Sequence, residues 1–281
     1  MDGFELRDVT VVSVCYHSDG VIGGMVASVP QETPIVLVDN GGGLDDDCLD
    51  GRVVRIVRLA ANEGFGRGCN AGAAVATTHW LLFLNPDARL ETGALEALLS
   101  AAKRNPKASA FNPRMANSDG SAYFKRRSYL LTREEFSRRG WPGADCDVPV
   151  LSGAALFVSK AAFDKVGGFD PEIFLYHEDD DLSLRLSALG PLMHVHDSLV
   201  VHAKGRSSDR TADIAALKAY HMARSRIYAG RKHGRPAPRL FACLVAFMML
   251  ASPQNLFSAR KRAKAVGFLR GALSKQAHIE Q

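Results

Sequence analysis

Apolar residues in the first half of the chain fall into short, nearly continuous runs separated by turn residues. Residues 9–16, Val-Thr-Val-Val-Ser-Val-Cys-Tyr, are β-branched and apolar almost throughout. That is the pattern of a central parallel strand covered on both faces. A second run, 35–40, ends in Asp39-Asn40 ahead of three glycines, a third covers 53–59, and a fourth, 79–84, delivers Asn85-Pro86-Asp87 to its end. Between them, 21–29 and the small-residue stretch through Ala76 read as helices. Residues 92–102 read as an amphipathic helix with Leu95, Leu98 and Leu99 as its buried stripe. Strands alternating with helices predict an α/β fold with a mostly parallel sheet.

Beyond residue 108 the periodicity fades. A strand is expected near Ala110-Phe111-Asn112, then a turn at Asn117-Ser118-Asp119-Gly120 and the charged stretches Lys125-Arg126-Arg127 and Arg133-Glu134-Glu135, a variable region over a cleft. The sheet is expected to resume over 148–158, and 163–170 carries a Gly167-Gly168 turn into Tyr176-His177-Glu178-Asp179-Asp180-Asp181. Four adjacent carboxylates repel one another. At a helix start the macrodipole relieves part of that cost, about 0.3–1 kcal/mol per acid, with Leu182, Leu184, Leu186 and Leu189 expected to bury behind them. Residues 193–196 and 199–202 read as paired short strands ending at His202.

Composition changes this picture in one place. The 281 residues are 47% apolar, ample for a core, with net charge +5. That charge conceals an asymmetry: up to Ala203 there are 19 Lys+Arg against 27 Asp+Glu, and from Lys204 onward 16 against 3. The boundary expected from it is a domain of residues 1–208 and a helical, basic region of 209–281. The basic region carries too few aromatics to favour nucleic acid. Its helical pattern, the apolar run 240–251 and Arg260-Lys261-Arg262 read either as core helices with solvated faces or as an interfacial membrane anchor. The run is too short to span a bilayer. Five scattered cysteines without ligand spacing suggest reduced thiols, and the acidic start carries no signal-peptide pattern, so a cytoplasmic protein, with peripheral attachment left open, is expected.

The candidate chemistry is acidic. Asp39, closing a strand, stands either in an Asx turn or at the carboxyl edge of the sheet where α/β folds take ligands. Gly64-x-Gly66-x-Gly68 is a weak match to a dinucleotide fingerprint and follows the third strand rather than the first, which keeps an NAD(P)-dependent oxidoreductase as a rival. Asp87, stiffened by Pro86, is a hard oxygen ligand suited to Mg²⁺ or Mn²⁺ shared with phosphate. The acids at 178–181 are a solvated charge run or the seat of a general base.

Together, Val38-Asp39-Asn40, Asn62-x-Gly64-Phe65-Gly66-x-Gly68-x-Asn70, Asn85-Pro86-Asp87, Ser152-Gly153-Ala154, Gly167-Gly168-Phe169-Asp170 and Glu178-Asp179-x-Asp181-Leu182-x-x-Arg185 resemble the inverting glycosyltransferases of family 2, in the rhamnosyltransferase-like branch. The resemblance covers about residues 9–208. It implies a GT-A fold, Rossmann-like, to which the helical basic region read from charge and period is a C-terminal extension, and transfer of a sugar such as L-rhamnose from a dTDP- or UDP-sugar donor to a saccharide or polyprenol-linked acceptor in cell-envelope polysaccharide synthesis. It implies that Asp39, Asn40, Asn62, Gly64, Arg67, Asn70, Asn85, Asp87 and Arg206 bind the donor. Asp87 and His202 would hold Mg²⁺ or Mn²⁺, Ser152, Gly153 and His177 the acceptor, and Asp179, with Glu178 and Asp181 as alternatives, would be the base. Asn85 stands where the family pattern DxD begins, and Asp180 is an extra acid. A non-catalytic sugar-binding protein of the same fold is the third reading, and homo-oligomerisation is open.

Overall fold

The computed structural model describes residues 4–49, 51–202, 211–255 and 257–275. They divide into two compact units, residues 1–170 with 179–208, and residues 171–178 with 209–281.

The first unit is built on one sheet. Strands β1 (Val9–Cys15), β2 (Ile35–Asp39), β3 (Arg55–Arg58) and β4 (Trp80–Leu84) run parallel in the order β3-β2-β1-β4. β5 (Ala88–Leu90), β6 (Ala110–Asn117), β9 (Ala155–Ser159) and β10 (Leu192–His202) continue it as β4-β9-β6-β10-β5, while β7 (Ala122–Tyr123) and β8 (Cys146–Asp147) pair with β6 and β10. β9 runs antiparallel between β4 and β6, and the parallel direction resumes from β6 to β10.

β1, β2 and β4 are buried throughout and largely apolar because both faces are covered. Helices α1 (Asp19–Ser28) and α3 (Ala94–Arg104) lie on one face, and α2 (Phe65–Val75), α4 (Lys160–Lys165) and α5 (Glu178–Ser187) on the other. β3, at the edge, is only partly buried. The glycines of α2 serve this packing: a Cβ on Gly68 would stand 2.7 Å from Val14 Cγ1, and one on Gly72 would strike Val12. Their role is therefore close helix-to-sheet approach rather than room for a dinucleotide phosphate.

Several expectations need correction. Residues 148–154 form a loop, and the strand begins only at Ala155. The two short strands near His202 are one strand, β10, with an irregularity between Val195 and Leu199. β6 is eight residues long and includes Pro113. Proline is tolerated there because β9 pairs with β6 only at Ala110 and Phe111, so no ladder bond on that side is lost. In α5, Leu182 and Leu186 are fully buried, Leu184 is half-buried and Leu189 is exposed. A 182/184/186 alternation suits a strand; the helical period instead turns Ser183 inward.

The second unit is helical. α6 (Ala212–Lys232), α7 (Pro238–Leu250) and α8 (Ala259–Leu273) pack through small residues, Ala219, Ala223, Ala242, Ala246 and Ala272, with Ile227 and Phe268. Gly267 and Gly271 let α8 lie directly on the α6 backbone, since a Cβ at either would run into the carbonyl of Ala216 or Tyr220. The segment 171–178 joins it through a Ser225 Oγ bond to the Leu175 carbonyl, 2.9 Å, and stacking of Phe174 on His221. Among the described residues no helix is long and apolar enough to cross a membrane.

Candidate active site

Strand register creates the first half of the site. β10 pairs antiparallel with β5 so that His202 faces Ala88, which sets its ring beside Asp87 at the end of the Asn85-Pro86 turn. His202 Nε2 lies 3.1 Å from Asp87 Oδ1 and 3.3 Å from Asn85 Nδ2. Both Asp87 and His202 are buried. Adjacent ligands of an octahedral Mg²⁺-type ion, each about 2.0–2.1 Å from it, stand roughly 3 Å apart. The carboxylate oxygen and the imidazole nitrogen therefore already have the separation of two such ligands. Among the described residues no third His, Cys, Asp or Glu joins them. A two-sided protein ligand set suits a hard cation that keeps waters and substrate phosphate oxygens in its remaining positions.

The second half is a loop held from beneath. Asn112 of β6 accepts from Ser152 N, 2.6 Å, and donates to the carbonyls of Ser152 and Ala155. Two residues on from Ser152, the Ala154 carbonyl accepts from Asn85 N at 2.9 Å, which ties this loop to the Asp87 turn. Gly153 N donates to Asp179 Oδ2, 2.9 Å, and a Cβ on Gly153 would stand 3.2 Å from Asp179 Cβ. The glycine thus lets the carboxylate of α5 reach the loop. The helix start is also where the macrodipole favours that charge.

Tyr123 connects the halves. Its ring lies 5.0 Å from that of His202, and its hydroxyl is hydrogen-bonded to the Ser152 side chain. Burial pushes the phenol above its ordinary pKa, and the charges of Asp179 and Asp87 push the same way. One side chain is therefore within electrostatic reach of both carboxylates.

Of the four consecutive acids, the structure separates the roles. Asp181 is fully buried and bound by Arg185 at 2.6 and 2.9 Å, and Arg185 also donates to the carbonyls of Val166 and Gly168. This is a structural ion pair that fixes the Gly167-Gly168 turn. Asp180 Oδ1 lies 2.7 Å from Lys125 Nζ, which stands 2.6 Å from Asp179 Oδ2. Burial disfavours the Lys125 ammonium, but the charges of Asp179 and Asp180 outweigh it and raise its pKa. Asp179 is partly exposed, and its Oδ1 is bonded to Asp180 N, leaving further acceptor capacity on that oxygen. Glu178 opens α5 and is buried; it and His177 belong to the 171–178 segment of the second unit. Tyr176 and His177 both have left-handed backbones, φ 67 and 66, a costly conformation for such residues.

The residues read as donor-binding form a framework around the carboxyl ends of β1 to β3. Asp39 accepts from the backbone N–H groups of Gly42, Gly43 and Leu44 and from Arg58. Burial works against its ionisation, but these bonds outweigh it and hold the carboxyl below its usual range. Asn40 and Asn62 interlock, Asn40 Nδ2 donating to Asn62 Oδ1 at 3.0 Å, and both bond the backbone of Glu63 or Gly64. Gly64, at φ 91, caps α2. Asn70 clamps both backbone groups of Phe169, at 2.8 and 2.9 Å. Arg67 is exposed on the first turn of α2. Arg206 lies outside the described residues.

Sequence reasoning missed Tyr123, Lys125 and Asn112, and also Tyr16, which is exposed at the end of β1 with its ring 4.3 Å from that of His17. Tyr16 and Asn112 fall at the ends of runs read as strands, and Tyr123 and Lys125 fall in the region without periodicity. The only signal was that Lys125 opens a basic triplet in an otherwise unpatterned region.

Residues 10–167 match the family model for glycosyl transferase family 2. The chain is 30% identical to an N-acetylglucosaminyl-diphospho-decaprenol L-rhamnosyltransferase of Mycobacterium tuberculosis, across 79% of this chain and 84% of that one. It is 25% identical to a dTDP-rhamnosyl transferase RfbF of Shigella flexneri, across 83% and 84%. Among solved structures, GalNAc-T7 with UDP, GalNAc and Mn²⁺ superposes with TM-score 0.56 at 17% identity, covering 86% of this chain and 57% of that chain. S. aureus TarS 1-349 in complex with UDP gives 0.56 at 14%, covering 94% and 89%. The fold is thus that of GT-A enzymes, and the chain belongs to glycosyl transferase family 2.

Proposed function

We propose that the chain is a metal-dependent inverting glycosyltransferase that moves a sugar, L-rhamnose in first place, from a dTDP- or UDP-sugar to a saccharide or polyprenol-linked saccharide of the cell envelope. The observation that carries the mechanism is the placement of Tyr123, whose ring lies 5.0 Å from that of His202 and whose hydroxyl bonds Ser152, the neighbour of the Gly153 that donates to Asp179. An acid beside a potential cation ligand on one wall and an acid with acceptor capacity on the other is what a single displacement needs. The rhamnosyltransferase relatives support the choice of sugar, and the decaprenol in the name of one supports the acceptor class.

In this reading Asp87 and His202 hold Mg²⁺ or Mn²⁺, a reading supported by their 3.1 Å separation and by the Mn²⁺ in the GalNAc-T7 structure. When bound there, such a cation would supply positive charge to the departing diphosphate. Asp179 Oδ1 accepts the proton of the acceptor hydroxyl as that oxygen bonds to the anomeric carbon. The bond from that carbon to the diphosphate breaks, and the nucleotide diphosphate leaves with the electron pair. Gly153 N–H and Lys125 fix Asp179 Oδ2, so the other oxygen meets the substrate. The framework around Asp39, Asn40 and Asn62 shapes the nucleotide pocket, with Tyr16 offering a ring for the base. Ser152 and Gly153 line the acceptor side, and Arg67 meets the diphosphate.

The test is nucleotide release from a panel of dTDP- and UDP-sugars with Mn²⁺, Mg²⁺ or chelator, beside NAD(H) binding by thermal shift. Release from dTDP-rhamnose that requires the metal supports the proposal. Stabilisation by NAD(H) with no release from any donor would return the oxidoreductase.

A further inference from the structure

α7 is packed the wrong way round for a helix of a free globular unit. Its inward stripe is Ala242 and Ala246, both fully buried, while Leu240, Phe241, Leu244, Phe247 and Met248 are 46–70% exposed. Those positions recur at helical spacing and make one outward apolar face, and Phe257, 88% exposed, follows on the connection to α8. Apolar patches of this kind mark an interaction surface.

Charge says what fits it. From Ile214 to Lys275 the sequence contains thirteen Lys and Arg and no Asp or Glu. Arg231 and Lys232 are exposed at the end of α6, ahead of α7, and Arg260, Lys261, Arg262 and Lys264 are exposed at the start of α8, behind it. Lys261 and Arg262 fold back onto the α7–α8 connection, bonding Gln254 Oε1 at 2.6 Å and the Asn255 carbonyl at 2.8 Å, which gathers cations at the Phe257 end. A second copy is a poor occupant, since self-complementary pairing would bring like-charged rims together with no acid to answer them. An anionic lipid surface answers both the apolar face and the rim. The helix has thirteen residues, about 20 Å, too short to cross the bilayer and suited to lying in the headgroup plane.

We propose that the outer face of α7, with Phe257, docks the chain onto an anionic bilayer as an interfacial helix. This stands independently of the sugar-transfer reading, and its test is read without activity. The full chain is sedimented with vesicles of phosphatidylcholine alone and with one-third phosphatidylglycerol. The expected result is partition at least about tenfold stronger onto the anionic vesicles, falling at high salt. Phe247→Ser with Met248→Ser lowers it by about tenfold or more, and Arg260→Glu with Lys264→Glu removes the preference for anionic lipid. Hydrogen exchange of the unaltered chain slows over 238–257 when anionic vesicles are added, a readout that needs no variant to fold. Equal recovery in the supernatant with both vesicle types, or unchanged exchange over 238–257, overturns the proposal. So does a dimer that the Phe247 and Met248 changes convert to monomer while vesicles bind neither form.

Discussion

Lys125→Met removes one ammonium from between two carboxylates and keeps most of the apolar stem. The amine stands 2.6 Å from Asp179 and 2.7 Å from Asp180, with the side chain 18% exposed. At an effective dielectric of about 20, each contact is worth roughly 6 kcal/mol before desolvation is counted. Breaking such a buried pair from one side typically costs about 3–5 kcal/mol, because the acids left behind repel. The sign with pH follows from the raised pKa of Lys125. Its stabilisation is complete below the unfolded-state lysine value, about 10.4, and is lost only as pH climbs towards the higher folded value. The parent chain therefore keeps this contribution constant across neutral pH. In the variant the two acids face each other without a cation, so a proton is taken up at higher pH, and the acid limb of the kcat/KM profile moves up by about 1–3 units. Urea unfolding of the variant is expected to show stability falling as pH rises from about 4 to about 7, between the unfolded-state Asp value of about 3.9 and that value raised by about 1–3 units. Lys125→Arg preserves the limb. An acid limb for Lys125→Met that superposes on the parent's would refute the assignment of Lys125 to the base.

Asp179→Asn is expected to lower kcat by about 10²–10⁴-fold while calorimetric affinity for the nucleotide sugar is retained; an active variant would move the base elsewhere. Asp87→Ala leaves nucleotide binding insensitive to Mn²⁺, read by titration with and without chelator. Arg185→Met uncovers the fully buried Asp181 and costs about 3–5 kcal/mol in urea unfolding, recovered in part by the added change Asp181→Asn. Gly68→Ala, whose new Cβ would stand 2.7 Å from Val14, costs about 1–3 kcal/mol through overpacking, seen as a lower midpoint with unchanged slope.

The parallel half of the sheet was legible because strands covered on both faces must be predominantly apolar, and β1, β2 and β4 are. The acids of α5 were legible for a related reason: charge at a helix start needs the dipole, and α5 does begin at Glu178. What could not be read was anything set by register. His202 reaches Asp87 only because β10 is one continuous strand paired with β5, and the sequence broke it in two. Pro113 hid the continuation of β6 beyond the expected strand at 110–112, and nothing local marked Asn112 as the residue that braces the 152–155 loop. Lys125 looked like one cation in a solvated triplet, since nothing local distinguishes a lysine that folds inward onto acids over fifty residues away. Division of labour among Glu178, Asp179, Asp180 and Asp181 was equally hidden, because it depends on which partner each meets: Arg185 for Asp181, Lys125 for Asp180, and Gly153 with Lys125 for Asp179.

The most direct trial of the two-walled site is a crystal structure with Mn²⁺ and an unhydrolysed nucleotide sugar, with the manganese located by anomalous scattering. The account predicts a single anomalous peak bonded to Asp87 Oδ1 and His202 Nε2 and to the diphosphate, with the anomeric carbon open towards Asp179. A peak on other residues, or a sugar whose anomeric carbon faces away from Asp179, would contradict it.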